Sequence, residues 1–351
     1  MKVPPLSTPA LMVDLDVFDA NVAAMAALLR GTPKTVRPHV KTHRTPELAK
    51  RQLGGAAVGV TCATVGEAEV MVAAGIDDVL IANEIVDGAK VARVAELAHG
   101  AAITVAADDP APVEALSRAA SKAGVTIGVL IDVDILLHRC GVATVSEALE
   151  LARRIHGSRG LRLAGIMGYE GRVRLGTEKR DERIGRAYAT LSEVKAGLLA
   201  AGFAVDTVSA AGTSTLREAI ADPTITELQA GVYALMEPEL LIMNLPFRCA
   251  ATVRGTVISR HTNRFVADVG RRVVGVEYGP PIPVGLPATQ VALSDEHATV
   301  TMNGDPPAIC TMVDFIPGQI RTTFNLHDRV WVTRGGEVVD CWPVSARGAS
   351  Q

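Results

Sequence analysis

Aromatic residues make up only 3% of the 351-residue chain, so its core must be built from Val, Ile, Leu and Ala. That mix suits parallel strands covered by Ala-rich helices. The five cysteines are odd in number and include no close pair, which excludes a disulfide framework and a CxxC metal or redox motif. They read as buried thiols. No apolar run approaches the ~20 residues that a membrane-spanning helix needs. The opening stretch (MKVPPLSTPALMVDLD) places prolines and an early Asp where a secretory signal requires unbroken apolar residues. A surplus of one charge is also missing: 35 Lys and Arg against 38 Asp and Glu leave −3, which argues against a nucleic-acid-binding face. The chain does have 48% hydrophobic residues, enough for a sizeable core in one large domain or two ordinary ones. The expectation is a soluble cytoplasmic protein of enzyme size, with no membrane or nucleic-acid partner.

Short β-prone runs alternate with longer amphipathic stretches. Strands are predicted at 36–40, 57–62, 79–83, 102–106, 126–133, 163–168, 207–210 and 225–229. Helices are predicted at 16–29, 46–53, 65–74, 89–98, 111–123, 145–156 and 179–201, with Asp16 as N-cap of the first. Eight strands separated by helices predict an α/β fold, a (β/α)8 barrel over residues 10–244. The competing doubly wound sheet lacks its glycine-rich fingerprint after the first strand. From about Phe247 the texture changes to short β-prone segments separated by Pro/Gly turns, which predicts a C-terminal all-β domain over 245–351, joined by about 1–9. The strand-like segment 11–15 is open to pairing with this domain instead of the barrel.

In such a barrel, chemistry collects where strands end. The first strand runs into Arg37-Pro-His-Val-Lys41-Thr-His43. A lysine there faces the barrel mouth, where desolvation favours the neutral amine, and a neutral amine forms an imine with an aldehyde such as that of pyridoxal phosphate. A solvated lysine in a charged turn is the alternative. His39 and His43 flank it, but no further ligand lies nearby to complete a metal site. After the seventh strand, Gly212-Thr213-Ser214-Thr215 leads into a helical segment. It offers backbone N–H groups and hydroxyls where barrels often bind phosphate, although a simple helix cap has the same appearance. Arg139, on the loop after the fifth strand, faces either a cofactor ring, a substrate carboxylate or an ordinary surface partner.

Several segments resemble the D-threonine aldolase and D-serine dehydratase family. They are Thr8-Pro-Ala-Leu-Met-Val-Asp-Leu-Asp, Arg37-Pro-His-Val-Lys-Thr-His, Val65-Gly-Glu-Ala-Glu-Val, Arg139-Cys-Gly-Val, Thr226-Glu-Leu-Gln-Ala-Gly-Val-Tyr, Asp295-Glu-His, Asn325-Leu-His-Asp and Trp342-Pro-Val-Ser-Ala-Arg-Gly, in order over residues 8–348. The resemblance implies a fold-type III pyridoxal-phosphate enzyme: an alanine-racemase-like barrel plus a C-terminal β domain, usually a homodimer. It implies that Lys41 carries the cofactor. It further implies that His39, Arg139, Tyr169, Gly212, Thr213, Ser214, Gly231 and Tyr233 lie around it, with Thr213 and Tyr233 near the phosphate.

One departure stands out. Where the family holds a divalent cation with His and, two residues later, Asp or Cys, this chain has Gln319 and Arg321. Glutamine is a poor transition-metal ligand and a guanidinium is none, so no metal is expected at that position. Gln319 and Arg321 become candidate substrate contacts, with Arg321 replacing the cation's charge or pairing with a distal acidic group. His297 is the candidate acid/base. The expected activity is retro-aldol Cα–Cβ cleavage of a small β-hydroxy D-amino acid to glycine or a similar amino acid and an aldehyde, possible without a metal. A D-serine-type dehydratase, an amino-acid racemase and a non-catalytic pyridoxal-phosphate carrier are the alternatives.

Overall fold

The computed structural model describes residues 5–54, 56–171, 173 and 176–351. It divides into two compact units. One comprises Ala26–Lys41, Gln52–Gly231 and Ala349–Gln351; the other comprises Met1–Met25, Thr42–Arg51 and Val232–Gly348.

The first strand of the chain, β1 (Ala10–Asp14), belongs to the second unit. The first unit is built on eight parallel strands: β2 (Thr35–Val36), β3 (Val60–Cys62), β4 (Asp78–Glu84), β5 (Ala102–Ala107), β6 (Ile127–Asp132), β7 (Leu161–Met167), β8 (Thr207–Ala210) and β9 (Glu227–Leu228). Their order is β2-β9-β8-β7-β6-β5-β4-β3. Parallel bridges Val36↔Ala57 and His39↔Thr61 link the β3 end back to the β2 chain and close the barrel. All eight predicted strands are present. β6 is buried at every position, as expected of a parallel strand packed on both faces. Leu80, Ala106, Leu130, Ala164 and Met167 form one core cluster, a mix of small and large side chains that lets neighbouring strands interdigitate.

The helices also fall where periodicity put them: α1 (Leu15–Leu29), α2 (Pro46–Leu53), α3 (Val65–Ala73), α4 (Gly88–Leu97), α5 (Pro110–Ala123), α6 (Val145–His156) and α7 (Arg180–Ala200). Thr64, Asp87, Asp109 and Thr144 accept backbone N–H bonds at the starts of α3 to α6. Each such cap contributes about 1 kcal/mol by satisfying a donor that the helix cannot. The cap of α1 is Asp14, not Asp16: Oδ1 of Asp14 accepts from the amides of Asp16 and Val17 at 2.9 and 3.1 Å. Asp16 instead binds Arg334 and the amide of Gly335.

The second unit is a nine-stranded sheet. It contains β1, β10 (Ala251–Arg260), β11 (Arg264–Ala267), β12 (Ile282–Pro283), β13 (Ala288–Leu293), β14 (Ala298–Met302), β15 (Met312–Ile316), β16 (Arg329–Arg334) and β17 (Glu337–Pro343). β1 lies antiparallel to β10 and parallel to β16, so residues 10–14 pair with the C-terminal strands and with no barrel strand. Its Ala-Leu-Met-Val run has no polar alternation and is buried throughout, which suits a strand with partners on both edges. No helix among the described residues is long and apolar enough to cross a membrane.

β7 and β8 approach closely at Gly165, where φ is +138° and an added Cβ would stand 2.0 Å from the Thr207 carbonyl oxygen. Gly165→Ala is expected to destabilise the chain by ~2–4 kcal/mol in denaturant unfolding. Gly185, exposed within α7 with nothing near a Cβ, provides the contrast: Gly185→Ala is expected to stabilise by ~0.5–1 kcal/mol.

Candidate active site

Because β2 to β9 are parallel, their C-terminal ends share one rim. Pro38 has no N–H to extend the β2 ladder, yet the chain stays on course through the His39↔Thr61 bridge. It then forms a single 3₁₀ turn, Val40–Thr42, which carries half-buried Lys41. Tyr169 follows β7, and a Cβ built on Gly212 would lie 3.6 Å from Cε2 of its ring and 3.8 Å from its hydroxyl, so ring and glycine are neighbours. After β8 the chain enters the left-handed region at Ala211 (φ +69°) and then makes a 3₁₀ turn at Thr213–Thr215. Thr213 and Ser214 are buried, Gly212 donates its amide to Thr215 Oγ1 at 3.2 Å, and Arg180 holds the Ser214 carbonyl at 2.8 Å. Gly231, buried after β9, is the last residue of this stretch of the barrel unit.

The loop after β6 presents Arg139. Asp134 organises it, accepting from the amides of Leu136 (3.2 Å) and His138 (2.9 Å) and pairing with His138 Nδ1 at 2.8 Å. Gly141 closes the loop at φ +106°, where a Cβ would stand 2.4 Å from the Asp134 nitrogen, and its amide donates to Asp108 at 2.9 Å. Behind Arg139 lies an acidic group that sequence reading missed. Asp132 is only 5% exposed. Burial, then the adjoining Glu84 carboxyl, push it up to about 8, Asp108 adds to the effect, and Arg139 opposes it. Donor atoms of Glu84, Asp108 and Cys140 lie within 4.8 Å of one another, and the Cys140 thiol is raised by burial and by Glu84. Acidic residues at the ends of three successive strands were the available signal.

In the second unit Gln319 is the N-cap of α9 (Ile320–Leu326), its Oε1 accepting from the Thr322 amide at 3.3 Å. Its backbone amide donates to Gly275 O at 3.0 Å, and the Ile320 amide donates to Glu237 at 3.1 Å. Arg321 donates to the Tyr278 hydroxyl at 2.9 Å, with its guanidinium carbon 5.7 Å from the centre of that ring. His297 sits exposed in the turn between β13 and β14, its Nδ1 3.4 Å from Ser294 Oγ. Among the described residues it shares no hydrogen bond with Gln319 or Arg321. Tyr233 is 1% exposed and packs on Phe247 at 5.5 Å. The Nε2 of His327 donates to the Val273 carbonyl at 2.7 Å, and burial lowers its pKa.

A barrel with a lysine on its rim and a buried hydroxyl-bearing turn two strands from closure defines a class of cofactor enzyme. The family profile of the alanine racemase N-terminal domain matches residues 13–237, and a serine dehydratase domain profile matches residues 250–333. The chain is 37% identical to D-threonine aldolase of Arthrobacter sp, covering 99% of this chain and 94% of that one. It is 32% identical to 3-hydroxy-D-aspartate aldolase of Paracoccus denitrificans (strain Pd 1222), covering 98% and 92%. The crystal structure of D-threonine aldolase from Filomicrobium marinum superposes with a TM-score of 0.94 at 35% identity, covering 99% and 97%. The chain therefore belongs to the alanine-racemase-like, fold-type III family of pyridoxal-phosphate enzymes, alongside the D-threonine aldolases. The donor set fits that cofactor: an amine for its aldehyde and a turn of amides and hydroxyls for its phosphate.

The raised Asp132 pKa carries a sign. Its folded-state pKa exceeds the unfolded value of 3.8, so its contribution favours folding at low pH and is lost as pH rises toward about 8. Asp132→Asn is expected to flatten that part of the decline in melting temperature across this window, read from thermal unfolding at successive pH values.

Proposed function

We propose that this chain is a pyridoxal-phosphate-dependent lyase that cleaves the Cα–Cβ bond of a small β-hydroxy D-amino acid, giving glycine or a similar amino acid and an aldehyde. The observation that carries the reading is end-to-end similarity to D-threonine aldolase, 37% over 99% of the chain, with Lys41 at the position the barrel rim requires. Lys41 holds the cofactor. His39, Arg139, Tyr169, Gly212, Thr213, Ser214, Gly231 and Tyr233 surround it, the 212–214 turn taking the phosphate. The unit built on the eight parallel strands serves as the cofactor domain, and Gln319, Arg321 and His297 belong to the second unit. The protein works as a cytoplasmic homodimer.

Pyridoxal phosphate supplies an electron sink for the pair released as the Cα–Cβ bond breaks. The chain's own groups do the rest. His297 accepts the β-hydroxyl proton as the aldehyde carbonyl forms; its Nε2 has no intrachain hydrogen bond among the described residues, so it is available for this. Lys41 returns a proton to Cα. Arg321, steadied by Tyr278, provides fixed positive charge where relatives place a cation, and Gln319 offers its amide nitrogen while Oε1 caps α9. Dehydration makes heavier demands on leaving-group activation, so replacing both metal-ligand positions favours cleavage.

The test is protein treated with excess chelator and supplied with D- and L-β-hydroxy amino acids while aldehyde, keto acid and enantiomer are assayed. Aldehyde from the D series in chelator is expected; activity that returns only with a divalent cation, or keto acid as the product, would sink the reading. Arg321→Ala is expected to lower kcat/KM roughly ten- to hundredfold, the loss of one charge-assisted bond, with cofactor absorbance unchanged.

A further inference from the structure

Glu170 follows Tyr169 on the barrel rim, but its side chain turns inward and is 5% exposed. Its Oε1 accepts from the hydroxyl of Thr215 and lies 3.4 Å from the Tyr188 hydroxyl. The backbone N–H of Ala211 acts on the same carboxyl in the direction that favours its charged form. Thr215 Oγ1 in turn receives the Gly212 amide at 3.2 Å. One carboxyl thus holds Thr215 directly and, through Thr215 Oγ1, the Gly212 amide, with Thr213 and Ser214 between the held positions. The segment follows Ala211, whose φ of +69° for a residue with a Cβ costs ~1–2 kcal/mol, so the turn after it needs holding.

We propose that Glu170 is the positioning residue of the phosphate-binding turn, a role that rests on the reading of residues 212–214 given above. Glu170 touches neither the cofactor nor the substrate; it holds the backbone that does. Burial is the largest influence on its ionisation and pushes its pKa up, and its Oε2 has no hydrogen-bond partner among the described residues. The carboxyl gives the turn its hydrogen bonds from below, and other ionisable groups pack beside it. Tyr188 of α7 faces both Glu170 and Glu218 of α8 (Leu216–Ala221). Glu218 is itself neutralised by Arg180 at 2.5 Å, the same arginine that holds the Ser214 carbonyl.

The experiment is equilibrium binding of pyridoxal 5'-phosphate and of pyridoxal, which lacks the phosphate, to full-length protein stripped of cofactor. Glu170→Ala is expected to weaken pyridoxal phosphate about tenfold or more, the effect of leaving buried donors unpaired, and to leave pyridoxal affinity unchanged. Glu170→Gln keeps an acceptor without charge and is expected to restore the preference. If Glu170→Ala does not fold, Glu170→Asp, which withdraws the carboxyl by one methylene, takes its place. Equal weakening of both ligands, or a Gln variant as weak as the Ala variant, would overturn the proposal. A wild type that prefers the phosphorylated ligand, with a Glu170→Ala variant that keeps the preference, would overturn the proposal alone. A wild type that binds both ligands alike would overturn the turn's phosphate role and the proposal with it. Borohydride reduction followed by peptide mapping reports separately on Lys41.

Discussion

Eight strands running in one direction put all their C-terminal ends on one side of the barrel, and the chemistry of this protein follows from that constraint. Residues 41, 84, 108, 132, 139, 169, 212 and 231 are far apart in the chain, yet each follows or ends a strand of the same sheet. Closure depends on residues that carry little chemistry themselves. Pro38 ends the β2 ladder after two residues, the isolated bridge at His39 keeps the chain against Thr61, and Lys41 enters the rim on the next turn. Gly165 lets β7 and β8 come together closely enough for the turns after them to meet. The contact between Tyr169 and Gly212 exists because those two strands are neighbours.

The rim is supported by acids held in unusual states. Around Arg139 three carboxyls and a thiol gather with one guanidinium, too little positive charge for all the acids to ionise together in a partly buried place. A proton retained at Asp132 relieves that repulsion. Beneath the 212–215 turn, burial is again the largest influence and pushes the Glu170 carboxyl up.

Gln319 and Arg321 also have structural tasks. Gln319 caps a seven-residue helix, a task that an amide oxygen performs well. Arg321 lies against Tyr278, where the hydroxyl and the ring both favour a guanidinium. The two residues are thus integrated into the local fold, with their side chains held in defined positions.

Element boundaries were largely legible in the sequence because they depend on local pattern. The eight strands, the helices from 16 to 201 and the β texture after Phe247 follow from apolar period, caps and turn residues, and Lys41 and Arg139 stand in the segments Arg37–His43 and Arg139–Val142. Asp14 rather than Asp16 caps α1, since the two are equal candidates in the sequence until backbone geometry shows which one bends over the first turn. The partners of β1 were undetermined, because strand pairing is a long-range choice: residues 10–14 join strands more than 230 positions away. Glu84, Asp108, Asp132 and Glu170 were passed over for the same reason. An isolated acid in a sequence resembles any solvated carboxylate, and only tertiary structure decides which acids are buried, which face one another and which hold a proton. Local pattern determined the elements and the lysine; the closed barrel decided the company that lysine and its neighbours keep.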